Sequence, residues 1–337
     1  MRAILVNEFG ALENAVLGTT DKPCAGPGEV LIEIHATAAN FVDILLIGGM
    51  HQSKPALPYI PGKGPAGIVC GVGEGVSNFI VGDRVLAMCE PGGGYAEFLA
   101  ISAHMCHRIP DKLAFPDAAS MALIYDTGWF ALLERGRFRP GDRVLIMGAT
   151  GGVGQATIQL VKALGGVAVA AVSDFSKVDM VKDAGADFVI DITRDNLRES
   201  VREQVFKITN GKGVDIVIDP LGDKFFEAAI RAVAWCGRYV VIGFAAGSIP
   251  SLKGNYLLVR NIEVSGLQIG DYRKRTPEKM QDCFDHIFKL FDAGKIGPPP
   301  FKTLPLEEVG KALGSIRDRT ARGRIVLLQD HEWGSQN

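Results

Sequence analysis

At 337 residues the chain is too long for one ordinary core and suits two domains. A composition of 47% apolar and 22% charged residues is that of a soluble globular protein, and no apolar run reaches the length of a membrane span. A formal charge of −2, with no Lys/Arg cluster that stands out, offers no surface for nucleic acid.

The segment Met1–Glu8 is too poor in apolar residues and too soon acidic for a signal peptide, and it reads as a first strand. Further apolar runs at Val30–Ala36, Gly67–Val72, Asp83–Met88 and Tyr95–Ile101 are separated by Gly/Pro turns, so the first 110 residues read as β-rich. Six cysteines are scattered without a CxxC pair, which argues against a disulfide framework and a structural zinc site and for cytosolic thiols, hence a cytoplasmic protein. His104-Met-Cys-His107 is too compact to wrap a tetrahedral metal and reads as a strand edge or turn.

From about 118 to 265 strand and helix alternate. Strands fit Val144–Met147, Val167–Val172, Phe188–Asp191, Asp215–Ile218 and Arg238–Ile242, with Asn261–Gly266 as a sixth. Helices fit Gly152–Leu164, Phe175–Ala184, Asn196–Ile208 and Lys224–Ala234. Near-continuous apolar strands between helices predict a parallel sheet covered on both faces, an α/β doubly wound fold. Later, Thr276-Pro277-Glu278 opens a helix whose Met280, Phe284, Ile287, Phe288 and Phe291 recur at helical spacing, and Gly294 closes it. Residues 306–316 form another helix, and Arg324–Leu328 a last strand that returns to the N-terminal domain.

The segment Arg143–Gly154 carries the chemistry. An apolar strand runs into a turn holding Gly148, Gly151, Gly152 and Gly154, and a helix follows at once. That geometry lets backbone N–H groups approach a pyrophosphate at a helix N-terminus, so Thr150, Gly151, Gly152, Val153 and Gly154 are expected to bind a dinucleotide. Thr157 takes the place of a third small residue. NAD enzymes place an acid at the end of the second strand; here the strand ends Ala171-Val172-Ser173, and Asp174 is placed to cap the next helix. Lys177, in the first helical turn, is in reach of a 2′-phosphate or is a solvated lysine, and the favoured cofactor is NADPH.

The chain resembles the zinc-free medium-chain dehydrogenase/reductases of the NADPH:quinone oxidoreductase (zeta-crystallin-like) type. The resemblance rests on Asn40-Phe-Val-Asp43, Leu57–Gly62, Val81–Val85, Gly93–Glu97, Thr127, Ala149–Gly154, Gly185–Asp187, Gly213–Asp215, Gly237-Arg238, Val241–Phe244 and Gly323–Leu327. It implies a GroES-like catalytic domain at 1–120 and 296–337, a Rossmann NADP-binding domain at 121–295, and the nicotinamide at the floor of a cleft between them. It further implies that Asn40 and Thr127 line the nicotinamide pocket, that Gly243, Phe244 and Ala245 border the cofactor, that Ser173 and Lys177 match the NADP-phosphate positions, and that a homodimer forms through the edge strand Asn261–Gly266. Zinc-dependent relatives carry ligands where this chain has Asn40-Phe41 and Pro61-Gly62, so no metal is expected.

Four positions depart from the pattern: Leu45 and Ile192 replace tyrosines, Lys63-Gly64 stands where an acid is common, and Asp126 replaces glycine. Lys63 either sits in the cleft as a new charge or snorkels to solvent, and solvent is the favoured expectation. Without a Lewis acid, reduction of a conjugated acceptor is easier than alcohol oxidation, because the added charge delocalises onto a carbonyl that donors such as Asn40 and Tyr95 stabilise. Tyr59, Tyr95 and Tyr125 are possible acids or packing residues. The expected activity is NADPH-dependent reduction of a small-molecule quinone or α,β-unsaturated carbonyl. A non-catalytic NADPH-binding protein remains open, as does an enoyl-thioester reductase using Arg273-Lys-Arg275 for CoA phosphates.

Overall fold

The computed structural model describes residues 1–329. The described residues pack as two compact units, one comprising 1–123, 273–288 and 298–329, the other 124–272 and 289–297.

Period-two burial shapes the first unit. β1 (Arg2–Val6) pairs antiparallel with β2 (Ala15–Thr19). β3 (Glu29–Ala38) turns Val30, Ile32, Ile34 and Ala36 inward, where Val69, Phe79 and Val85 complete a core for the first three. It is followed by α1 (Phe41–Ile47), β4 (Pro65–Val72), β5 (Arg84–Ala87), β6 (Phe98–Ser102), β7 (Cys106–Arg108) and α2 (Phe115–Met121).

The second unit opens with α3 (Ile124–Phe130) and then alternates: β8 (Arg143–Ile146), α4 (Gly152–Ala163), β9 (Val167–Val172), α5 (Val178–Asp183), β10 (Phe188–Asp191), α6 (Leu197–Ile208), β11 (Val214–Asp219), α7 (Asp223–Ala229) and β12 (Val233–Val241). α8 (Asn255–Arg260), β13 (Glu263–Gly266) and α9 (Ile269–Arg275) follow. The six strands form one parallel sheet in the order β10-β9-β8-β11-β12-β13. The order reverses between β8 and β11, the switch point at which open α/β sheets bind ligands beyond their strand C-termini.

Two sequence expectations need correction here. Lys224–Ala234 is not one helix: α7 ends at Ala229, and Val233 already pairs with Val214 of β11. β12 therefore starts five residues before Arg238, with a register shift between the Val214 and Ile216 pairings and Cys236 at φ +58°. Phe175–Ala184 likewise divides into a 3-10 turn, Phe175–Lys177, and α5.

The chain then continues as α10 (Pro277–Asp292), β14 (Phe301–Pro305), α11 (Val309–Arg317) and β15 (Arg324–Leu328). The sheet of the first unit runs β14-β15-β3-β4-β5-β7, with β6 also paired to β3. Residues 273–288, expected with the Rossmann-type unit, pack with the first one, where the ring of His107 stacks on Phe284 with centroids 4.3 Å apart.

Candidate functional site

The glycine turn follows β8 directly. Gly148 adopts φ +60°, a conformation open to glycine at little cost, and its carbonyl accepts the Gly151 N–H at 3.0 Å. A Cβ on Gly154 would lie 2.5 Å from the Gly148 oxygen and 2.6 Å from the Ala149 Cα, so α4 starts in contact with the turn only because this residue has no side chain. The Gln155 amide donates to the Thr150 oxygen at 3.1 Å and braces the turn from inside. The first N–H groups of α4 have no intrahelical acceptors and, with the helix dipole, suit a pyrophosphate. Thr157 is fully buried, bonds the Val153 carbonyl, and would crowd any side chain at Gly128 of α3, so it seats α3 on α4.

A second structure forms at the end of β11. Asp219 is fully buried, and its carboxylate accepts the Tyr239 hydroxyl at 2.7 Å, the Leu221 N–H at 2.8 Å and the Gly222 N–H at 3.1 Å. Burial pushes Asp219 above the usual carboxylate range despite these three donors, and burial together with Asp219 raises the Tyr239 phenol. The turn so held accepts Ala245 N–H on Pro220 O (2.9 Å) and Ala246 N–H on Leu221 O (3.0 Å). A Cβ at Gly148 would meet Pro220 and Leu221 at 3.2–3.3 Å, so Asp219 links the glycine turn to the loop carrying Gly243, Phe244 and Ala245. Phe244 is 40% exposed and is not a core residue. Asp219 was not singled out from the sequence, although Asp-Pro-Leu-Gly after an apolar strand is the signature of an Asx turn. Asp219→Ala leaves three donors without their acceptor and is expected to cost about 3 kcal/mol, against about 1 kcal/mol for Tyr239→Phe. Urea unfolding of both variants checks this order; equal costs would deny the turn its dependence on the carboxylate.

β9 ends without an acid. Ser173 is exposed, and Asp174 accepts the Ser176 N–H at 3.0 Å as the expected cap. Lys177 is partly buried, with Nζ 3.8 Å from Asp174 Oδ2, a loose pairing. Thr127 lies inside α3, half-buried, and its N–H bonds the Asp126 carboxylate.

In the first unit a buried network surrounds Asp43. Its carboxylate accepts the Asn40 N–H at 3.0 Å, the Gly62 N–H at 3.3 Å and the Tyr95 hydroxyl at 2.8 Å. Burial drives Asp43 upward against those bonds and against the nearby Lys63 charge. Asn40 is buried at the start of α1, and its amide donates to the Ala38 oxygen at 2.8 Å. Tyr95, expected from the sequence to donate to a carbonyl of the reacting molecule, is 0% exposed. Its hydroxyl is committed to Asp43, so its observed work is to hold that carboxylate. Tyr125 is also buried, with its hydroxyl on Gly297 O at 2.6 Å, which makes it an anchor. Tyr59 borders a hollow of about 340 Å³, and its buried hydroxyl has no partner among the described residues.

Lys63 does not reach solvent. It is 4% exposed and its ammonium pairs with Glu90, whose other oxygen takes Arg273 at 2.6 Å. Burial alone would raise Glu90, but Arg273 and then Lys63 hold it below the usual carboxylate range. Arg273, 2% exposed, is thereby withdrawn from the basic patch proposed for CoA phosphates. Nothing in the sequence marks Glu90 as their shared partner. His107 turns to Gln281 (3.1 Å) and Phe284, and the described residues contain no grouping of three metal-ligating side chains.

Comparison with known proteins matches residues 26–111 to the alcohol dehydrogenase GroES-like domain and 152–286 to the zinc-binding dehydrogenase family. A quinone oxidoreductase-like protein 2 homolog of Nematostella vectensis is 33% identical over 330 residues, 97% of this chain and 88% of its own. A quinone oxidoreductase of Pseudomonas syringae pv. Tomato superposes with a TM-score of 0.89 at 27% identity, covering 97% of this chain and 99% of that one. A mycobacterial protein solved with NADPH gives 0.88 at 29% identity, covering 97% and 100%.

Proposed function

We propose, from the premise that this chain belongs to the medium-chain dehydrogenase/reductase family and is a quinone oxidoreductase-like member of it, that it is an NADPH-dependent reductase of quinones or α,β-unsaturated carbonyls that works without a metal. The carrying observation is the glycine turn at the switch point, where Gly154 touches backbone and leaves the α4 N–H groups to a pyrophosphate. When bound, the reduced nicotinamide supplies the hydride. Thr150–Gly154 hold the pyrophosphate, Lys177 and Ser173 meet the 2′-phosphate, and the loop Gly243–Ala245, fastened through Asp219, borders the cofactor. Asn40 and Thr127 orient the reacting groups, and the Asp43–Tyr95 pair keeps Asn40 in place. The relative solved with NADPH supports the cofactor, and the missing acid after β9 agrees with it. A homodimer through β13 is supported by its place at the sheet edge.

The test measures binding of NADPH and NADH separately, then loss of reduced-nicotinamide absorbance with a panel of quinones and enones. Lys177→Ala is expected to weaken NADPH about 10-fold and leave NADH unchanged. Equal losses remove Lys177 from the phosphate site, and tight NADPH binding with no turnover on any acceptor makes the protein a binder and not a reductase.

A further inference from the structure

At the opposite end of the parallel strands lies a cavity of about 390 Å³ in the second unit, built by α6, the 3-10 turn Ile230–Ala232 and α8. Three arginines line it, Arg202, Arg231 and Arg260, together with Asn255, Tyr256 and the apolar Ile230 and Val259. Arg260 bonds the carbonyl of Val233, the first residue of β12, whereas the glycine turn follows the last residue of β8. In a parallel sheet those are opposite ends, so this cavity is separate from the dinucleotide turn.

The charge is unbalanced. Arg231 pairs with Glu199 at 2.8 Å, but neither Arg202 nor Arg260 has a carboxylate partner among the described residues. Arg202 lies over the Phe206 ring, 4.6 Å from its centroid, and Arg260 spends one nitrogen on Val233 O at 2.9 Å. All three arginines are half-buried, so they are not freely solvated side chains on a convex face. Like charges gathered in one concavity repel, and the Coulomb energy is larger where water is partly excluded. An anion that accepts several N–H donors at once removes that repulsion, and planar guanidinium forks match phosphoryl oxygens two at a time. Tyr256 and Asn255, which also line it, carry uncharged donors.

We propose that this cavity is a binding site for a small anion bearing phosphoryl groups, distinct from the dinucleotide site. The volume accommodates inorganic pyrophosphate or a mononucleotide, and the two share the chemistry that the arginines recognise.

The test is calorimetric titration of the whole protein with inorganic pyrophosphate and, separately, AMP, at fixed ionic strength because exposed charges are screened by salt. Saturable pyrophosphate binding is expected, weakened at least about 10-fold in Arg202→Gln/Arg260→Gln and unchanged in Gly154→Ala, which displaces the dinucleotide turn. Tighter AMP than pyrophosphate identifies a mononucleotide as the preferred form; the reverse identifies the bare phosphoryl group. Arg202→Gln alone, which leaves the Arg260–Val233 bond intact, keeps the test valid if the double variant fails to fold, and it is expected to lose about half of the effect in logarithmic terms. The proposal is overturned by absent binding, by binding that the arginine variants leave intact, or by binding that Gly154→Ala weakens, since the last places the anion at the dinucleotide turn. It is also overturned if the arginine variants change only the oligomeric state in size-exclusion chromatography, because a second copy of the chain then fills the cavity.

Discussion

Gly154→Ala is expected to weaken NADPH binding by at least about 100-fold, about 2.7 kcal/mol. The added methyl would sit 2.5 Å from the Gly148 oxygen, 2.6 Å from the Ala149 Cα and 2.7 Å from the Ala149 oxygen. All three are backbone atoms, so no side-chain rotation relieves the contact, and α4 must move off the turn. That displaces the N–H groups that face the pyrophosphate, while the overpacking also costs about 1–3 kcal/mol of stability. Gly314→Ala in α11 is the control: a Cβ there would meet nothing within 4 Å, and the change should be neutral or stabilising by up to about 1 kcal/mol. Fluorescence titration of NADPH with urea unfolding separates the two effects. An unchanged NADPH affinity in Gly154→Ala would remove the turn from the cofactor site.

The second large effect is acid sensitivity from His107. This imidazole is buried, stacked on Phe284 and bonded to Gln281, and its pKa is lowered to about 3, chiefly by burial, with the Arg273 charge adding to it and the Gln281 bond opposing it. The unfolded chain titrates this group near 6.5, so between that pH and about 3 the unfolded state binds a proton that the native state refuses. Stability from this group is full above about pH 6.5 and is lost as pH falls, at roughly 1.4 kcal/mol per pH unit, reaching about 4–5 kcal/mol near pH 3. Unfolding free energies from urea titrations at pH 7 and pH 5 should differ by about 2 kcal/mol more in the native protein than in His107→Gln. Parallel pH slopes in the two proteins would contradict the assignment.

The parts of the fold that depend on local pattern were legible. Runs such as Val167–Val172 are apolar throughout because both faces of the parallel sheet are covered, and period-two burial marks β3 in the same way. The glycine turn was legible because close backbone approach leaves few residues to choose from. β2, β14, α1, α2 and α8 were not anticipated: they are short, and partners distant in sequence decide them. The same holds for the residues that position the site. Lys63 looked solvent-bound because its partner Glu90 is twenty-seven residues away, and Glu90 is shared with Arg273 from the far end of the chain. Tyr95 looked available because a phenol's commitment to a buried Asp43 has no local sequence signature.

β3 has consequences for the order of assembly. Along one side its first half pairs with β6, while Ala36, Thr37 and Ala38 pair with Leu328, Leu327 and Val326 of β15. During synthesis from the N-terminus, that short ladder stays open until Val326–Leu328 have emerged. The second unit, drawn mostly from one continuous stretch, has by then all six of its strands. The first unit therefore closes after the second, and loss of β15 would leave an unpaired β edge open to self-association while the nucleotide-binding sheet stays complete.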